Sequence, residues 1–280
     1  MPPVSVPRAP LHERQIHIPF ELIERFLSFV ATFDRNKKTH LACSLTCREW
    51  RAVCMPFLFS SMSAHHPDRL IALLTLGRDD RSRNFACSVR KLELADGIMT
   101  AKLFISILET FPKLRCLWLD GVRFELASSS ELPPGHPTFE LDTLIIDGRL
   151  HDPPYLLDVH VLLDAFRAFA HINTLYLSGP SAETSFRPPP KEPRSSLQLQ
   201  VHNIAGPVPA RLWLSLLRCT RTIEDQTLQT VRIDVEHSAT EEFGELLSTG
   251  GANLRSVDIG FSRGPYSEFA CVHKLCRSQR

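Results

Sequence analysis

The side chains of this chain that could do chemistry are its cysteines and histidines. Cysteines stand at 43, 47, 54, 87, 116, 219, 271 and 276, mostly inside apolar segments. Cys43 and Cys47 are spaced to share one helix face, and Cys271 and Cys276 are five apart. Neither pair has C-x-x-C spacing, and no second ligand pair stands at a zinc-like distance. The adjacent His65 and His66 fall in a polar connector, where solvation is the expected state. There is no Gly-rich phosphate loop ending in Lys-Ser/Thr, and no G-x-G-x-x-G, G-x-S-x-G or H-E-x-x-H. These residues predict no catalytic site, no metal and no cofactor, and thiols that serve as small core groups.

The chemistry that remains is recognition. A short pattern recurs: VRKLELADG from Val89, LRCLWLDG from Leu114, LDTLIIDG from Leu141, INTLYLSG from Ile172, LQTVRID from Leu228 and LRSVDIG from Leu254. In each, apolar residues occupy i, i+3 and i+5. A looser copy, SLQLQVHN, begins at Ser196. The central apolar residues are Leu92, Leu117, Leu144, Leu175, Leu199, Val231 and Val257, at intervals of 25, 27, 31, 24, 32 and 26 residues. Leucine-rich repeats have periods of about 20–29 residues and open each unit with a short strand.

In such a strand alternate residues face opposite ways, so the apolar set points into the core and the residues between them face the other surface of the sheet. The position after each central residue holds Glu93, Trp118, Ile145, Tyr176, Gln200, Arg232 and Asp258. Trp118, Ile145 and Tyr176 are expected to form an exposed apolar stripe, and Trp, Tyr and Arg dominate interface hot spots. Trp118, Ile145, Tyr176 and Arg232 are therefore the candidate target-binding residues; the alternative is that a loop of the chain itself, such as 187–194, folds back to cover the stripe.

Amphipathic stretches at Ala101–Thr110, Val159–Ala170, Ala210–Cys219 and Glu241–Leu247 lie between these strands. The expected fold of residues 89–280 is an irregular α/β leucine-rich-repeat solenoid with about seven parallel strands. Proline-rich segments at 128–137 and 187–194 read as surface insertions, and SEFACVHKLC near the end reads as one closing helix. Residues 63–88 read as a connector with a short helix around Leu70–Leu76, and residues 1–15 as a disordered proline-rich tail.

Residues 16–62 differ in character. Leu22, Ile23, Phe26, Leu27 and Val30 recur at helical spacing after Pro19, and the polar run Asp34–Lys38 interrupts them. Thr39 then offers an N-cap to a second apolar segment with Leu41, Ala42, Leu45, Trp50, Val53 and Phe57. About 45 residues make a small core, so such a module is expected to need a partner.

This segment resembles an F-box. The resemblance rests on Ile18-Pro19, Glu21-Leu22-Ile23, Phe26-Leu27, Leu41-Ala42 and the run Ser44-Leu45-Thr46-Cys47-Arg48 leading to Trp50-Arg51. It covers about a sixth of the chain, and many F-box proteins carry leucine-rich repeats behind the module. It implies an all-α module that docks on a Skp-family adaptor, and through it on a cullin, within an SCF-type ubiquitin ligase. The repeats would then bind a protein target. Carried over by position, Ile18, Pro19, Leu22, Ile23, Phe26, Leu27, Leu41, Ala42 and Leu45 would supply adaptor-facing and core residues, with Trp50 in the small core. The alternative is a repeat-based scaffold unrelated to ubiquitin, in which the helices only cap the array.

Composition narrows the remaining classes. A formal charge of +1, with 43% apolar and 22% charged residues, predicts neither nucleic-acid nor membrane binding. The absence of a secretory signal and of a long apolar run predicts a cytoplasmic or nuclear protein with reduced thiols.

Overall fold

A computed structural model describes residues 18–33, 37–79, 83–124, 139–148, 159–178, 197–208, 210–234, 240–251 and 253–260. The expectations for 1–15, 128–137, 187–194 and the closing helix lie outside the described residues. The chain divides into two compact units, 1–58 and 59–280.

Among the described residues of the first unit run three helices, α1 (Phe20–Phe33), α2 (Lys38–Ser44) and α3 (Arg48–Phe59), the last ending at the unit boundary. The Pro19 carbonyl accepts the first helical N–H bonds, from Leu22 at 3.0 Å and Ile23 at 3.3 Å. Thr39 is not the N-cap of α2. Lys37 holds that position with φ 55, and its Nζ reaches across to donate to the Leu58 carbonyl at 2.6 Å. That bond satisfies a carbonyl left over in the last turn of α3, and burial lowers the Lys37 pKa. Beside it, the buried His40 ring lies against Phe57 and brings Nε2 to 3.0 Å from the Leu27 carbonyl. The core of the unit is small: Ile23, Leu27, Val53 and Cys54, flanked by Cys43, Trp50, Phe57 and Leu58.

The second unit is an α/β fold built on one open sheet of eight parallel strands in sequential order. The strands are β1 (Ser61–Ala64), β2 (Lys91–Met99), β3 (Cys116–Phe124), β4 (Phe139–Asp147), β5 (Phe169–Ser178), β6 (Gln200–Gly206), β7 (Thr230–Asp234) and β8 (Ser256–Gly260). Between them run α4 (Pro67–Arg78), α5 (Arg83–Ala86), α6 (Ala101–Thr110), α7 (Val159–Phe166), α8 (Ala210–Arg218), α9 (Arg221–Glu224) and α10 (Thr240–Thr249). The hydroxyl of Thr100 caps α6 by accepting from the Leu103 N–H at 3.2 Å.

Two strands differ from the sequence expectation. β1 straddles the boundary between the stretches read as helical module, 16–62, and as connector, 63–88, and pairs with β2 so that Met62 stands beside Leu92. In β6 the central residue is Ile204, not Leu199, because Ile204 aligns with Leu175 on one side and Val231 on the other. The central residues are thus Met62, Leu92, Leu117, Leu144, Leu175, Ile204, Val231 and Val257, at intervals of 30, 25, 27, 31, 29, 27 and 26 residues. The period is more even than the sequence pattern indicated.

Both misreadings have one cause. The third apolar position of the pattern is Ala64 in β1 and Gly206 in β6. Gly206 sits at φ +133, and a Cβ there would lie 1.7 Å from the Leu177 carbonyl oxygen. No larger residue fits, so the strand lacks the side chain by which its siblings are recognised. The helical stretch read as Val159–Ala170 also ends early, at Phe166, since β5 takes over at Phe169.

Helices α4, α6, α7, α8 and α10 touch one another in that order. Adjacent strands are about 4.8 Å apart, so eight strands span about 34 Å. Five helices packed at about 8–10 Å span about 32–40 Å. One layer of five such helices is therefore wide enough to cover the eight strands. Between the two layers lies the main core, in which Leu92, Leu117, Leu144, Leu175, Ile204 and Val231 form one continuous buried row. Trp213 of α8 is fully buried in it. At the last strand the row changes character, for Val257 and Ile259 are exposed. No helix among the described residues is long and apolar enough to cross a membrane.

Candidate binding surfaces

The nine residues assigned to adaptor contact fall into two sets. Ile23 and Leu27, four apart on α1, point inward against Val53 and Cys54 and are the core members of the set. The other seven, Ile18, Pro19, Leu22, Phe26, Leu41, Ala42 and Leu45, are exposed. Leu22 is 56% exposed and Leu45 79%. α1 has two apolar faces because Leu22, Phe26 and Phe29 recur at i, i+4 and i+7, offset by one residue from the inward pair. Phe29 is also exposed and joins this face, while Phe20, exposed as well, falls at the spacing of Ile23 and Leu27 at the start of the helix. Sequence reasoning passed over both, although Phe29 continues the Leu22–Phe26 spacing. Trp50 is half-buried at the edge of the core and meets the Phe26 ring edge-on, with centroids 6.3 Å apart.

On the sheet face away from the helices, register places Glu93, Trp118, Ile145, Tyr176, Ala205, Arg232 and Asp258 in one row. Ala205 replaces the expected Gln200, as the β6 register requires. The row is not an exposed apolar stripe. Ile145 is 2% and Tyr176 8% exposed, and with Ala205 and the partly buried Trp118 they form a second apolar cluster, separate from the main core. Their assignment as surface anchors is therefore corrected. Two of the four candidates keep solvent access: Trp118, over whose ring the Lys91 Nζ sits 5.2 Å from the centroid, and Arg232. The Arg232 guanidinium is already engaged by Asp258 at 2.8 Å.

Polar groups flank the row on this face. Cys116, Thr143, Thr174, Asn203, Thr230 and Ser256 form one register line. Asp147 and Ser178 form another pair, with the Ser178 hydroxyl donating to Asp147 Oδ1 at 3.0 Å. At the starts of β5 and β6, His171 Nε2 and His202 Nδ1 approach to 3.4 Å. Burial, and then the neighbouring His171, lower the His202 pKa.

The cysteines differ from expectation in placement. Of the six described, only Cys54 is buried, and Cys47 is exposed. Cys43 and Cys47 do not share a helix, because α2 ends at Ser44. Burial, with Cys43 nearby, pushes the Cys54 thiol up to about 11, and burial raises Cys219. A raised pKa keeps these thiols protonated, the opposite of what a nucleophile needs. Among the described residues no three His, Cys, Asp or Glu side chains are grouped to hold a metal ion. His65 and His66 are exposed. Comparison of the chain with models of known protein families finds no match, and comparison with curated proteins finds no similar one.

Proposed function

We propose that this chain is the substrate-receptor subunit of an SCF-type cullin–RING ubiquitin ligase. Its F-box-like helices bind a Skp-family adaptor, and its leucine-rich-repeat-like unit holds a protein target. The chain performs no bond chemistry of its own on this reading. The observation that carries the adaptor half is the second apolar face of the helical unit. Leu22, Phe26, Phe29, Leu41 and Leu45 are left out of a core that Ile23, Leu27, Val53 and Cys54 already complete. Helices that used their apolar residues only internally would not carry this surplus, and an exposed apolar patch on a small unit is the signature of a docking surface. The target half is supported by the breadth of the sheet face, where Trp118 and Arg232 remain accessible.

Co-expression with a Skp-family adaptor, followed by affinity capture and size exclusion, tests this. The expected result is co-elution with the wild-type chain and its loss with the Pro19→Ala/Leu22→Ala double variant. A folded chain that ignores the adaptor overturns the receptor reading.

A further inference from the structure

We propose that a cleft at the starts of β3 and β4 is the subsite for an acidic side chain of the recruited protein, which rests on the receptor reading above. The cleft has a volume of about 510 Å³, within the range of pockets that hold a small group. Its floor is apolar, from Phe111, Leu114 and Leu141, and its rim carries Arg90, Lys113, Arg115, Glu140 and Asp142.

The rim charges do not cancel. Arg115 and Asp142 offset each other through an Nη1–Oδ2 contact of 3.4 Å. The Arg90 guanidinium donates to the Lys113 carbonyl at 3.4 Å, which holds it against the same segment as the Lys113 side chain. Among the described residues neither Arg90 nor Lys113 makes an ion pair, and both are exposed. Glu140, on the facing strand, is the remaining carboxylate. With Glu140 set against Arg90 and Lys113, the rim keeps one excess positive charge above an apolar floor. An incoming anion meets that excess charge, and the floor accepts an apolar group beside it. The matching ligand is a peptide side chain ending in a carboxylate or a phosphate, with a Leu- or Phe-sized neighbour.

The test titrates the full chain with three sets of short peptides that place Asp or Glu, phosphoserine, or Asn or Gln beside Leu or Phe. Fluorescence polarisation reads binding. One of the two anionic sets binds about tenfold tighter than the neutral set, and which one identifies the anion. Lys113→Glu weakens that binding about tenfold, and Glu140→Gln tightens it, a gain that general damage to the fold does not produce. Absence of binding by all three sets, equal binding by the neutral set, or wild-type affinity in Lys113→Glu overturns the proposal. Adaptor capture on the same proteins keeps the two readings apart. Intact capture without peptide binding removes the cleft alone, and peptide binding without capture removes the receptor reading and leaves the cleft.

Discussion

Leu45→Ala set against Leu27→Ala tests whether the helical unit has one apolar face for itself and another for a partner. Leu27 is fully buried, so its truncation deletes packed methyl groups and leaves a cavity. Such a change costs about 2–5 kcal/mol, a large part of the total stability of a small unit. Leu45 is 79% exposed. Full burial of a leucine side chain is worth about 2 kcal/mol, so covering what Leu45 leaves exposed contributes about 1.5 kcal/mol to docking. That is about a tenfold change in affinity. The same truncation alters the stability of the free chain by less than about 0.5 kcal/mol. Denaturant unfolding followed by circular dichroism gives the stability change, and calorimetric titration with a Skp-family adaptor gives the affinity. Leu27→Ala is expected to unfold the helical unit, and Leu45→Ala to spare it while weakening the complex about tenfold. If Leu45→Ala destabilises the chain as much as Leu27→Ala, or binds the adaptor like wild type, the division into two faces is wrong.

Two further outcomes follow from particular contacts. Gly206→Val, and even Gly206→Ala, drives a Cβ into the Leu177 carbonyl oxygen at a φ that side chains rarely adopt, and is expected to cost several kcal/mol and abolish the cooperative unfolding of the sheet unit. A Gly206→Ala protein with wild-type stability would refute the close approach of β5 and β6. The folded chain holds His202 below its ordinary pKa of 6.5, so the unfolded chain binds the extra proton more readily. The neutral imidazole thus contributes stability above about pH 6.5 that is lost as pH falls through its lowered pKa. His202→Asn is expected to flatten stability between about pH 7 and pH 5, read by urea unfolding at each pH; an unchanged slope would refute the assignment.

The strands were legible where their pattern was complete. Leu117, Leu144 and Leu175, each with apolar partners three residues before and two after, marked β3, β4 and β5 directly, because residues two apart lie on one face of a strand. β1 and β6 follow the same rule with Phe59, Met62 and Ala64, and with Val201, Ile204 and Gly206, but a search for large apolar side chains does not register an alanine or a glycine. The functional surfaces were legible only in part. Sequence spacing put Leu22, Ile23, Phe26 and Leu27 on one helix. Which pair faces inward depends on where Val53 and Cys54 of α3 arrive, and that is a long-range contact. For Ile145 and Tyr176 the alternation correctly placed both on the face opposite the helices, yet it carries no information about burial there.

The sequence by itself determined that this is an α/β chain of recurring parallel strands behind a short helical segment. That follows from local periods, two for strands and 3.6 for helices, which steric limits on the backbone translate directly into faces. Only the tertiary structure decided which apolar residues remain outside and that β6 pairs through Ile204. It alone brings Arg90, Lys113 and Glu140 around one cleft. Burial, register and the gathering of charge are set by residues more than 20 positions apart in the chain, and no local pattern records them.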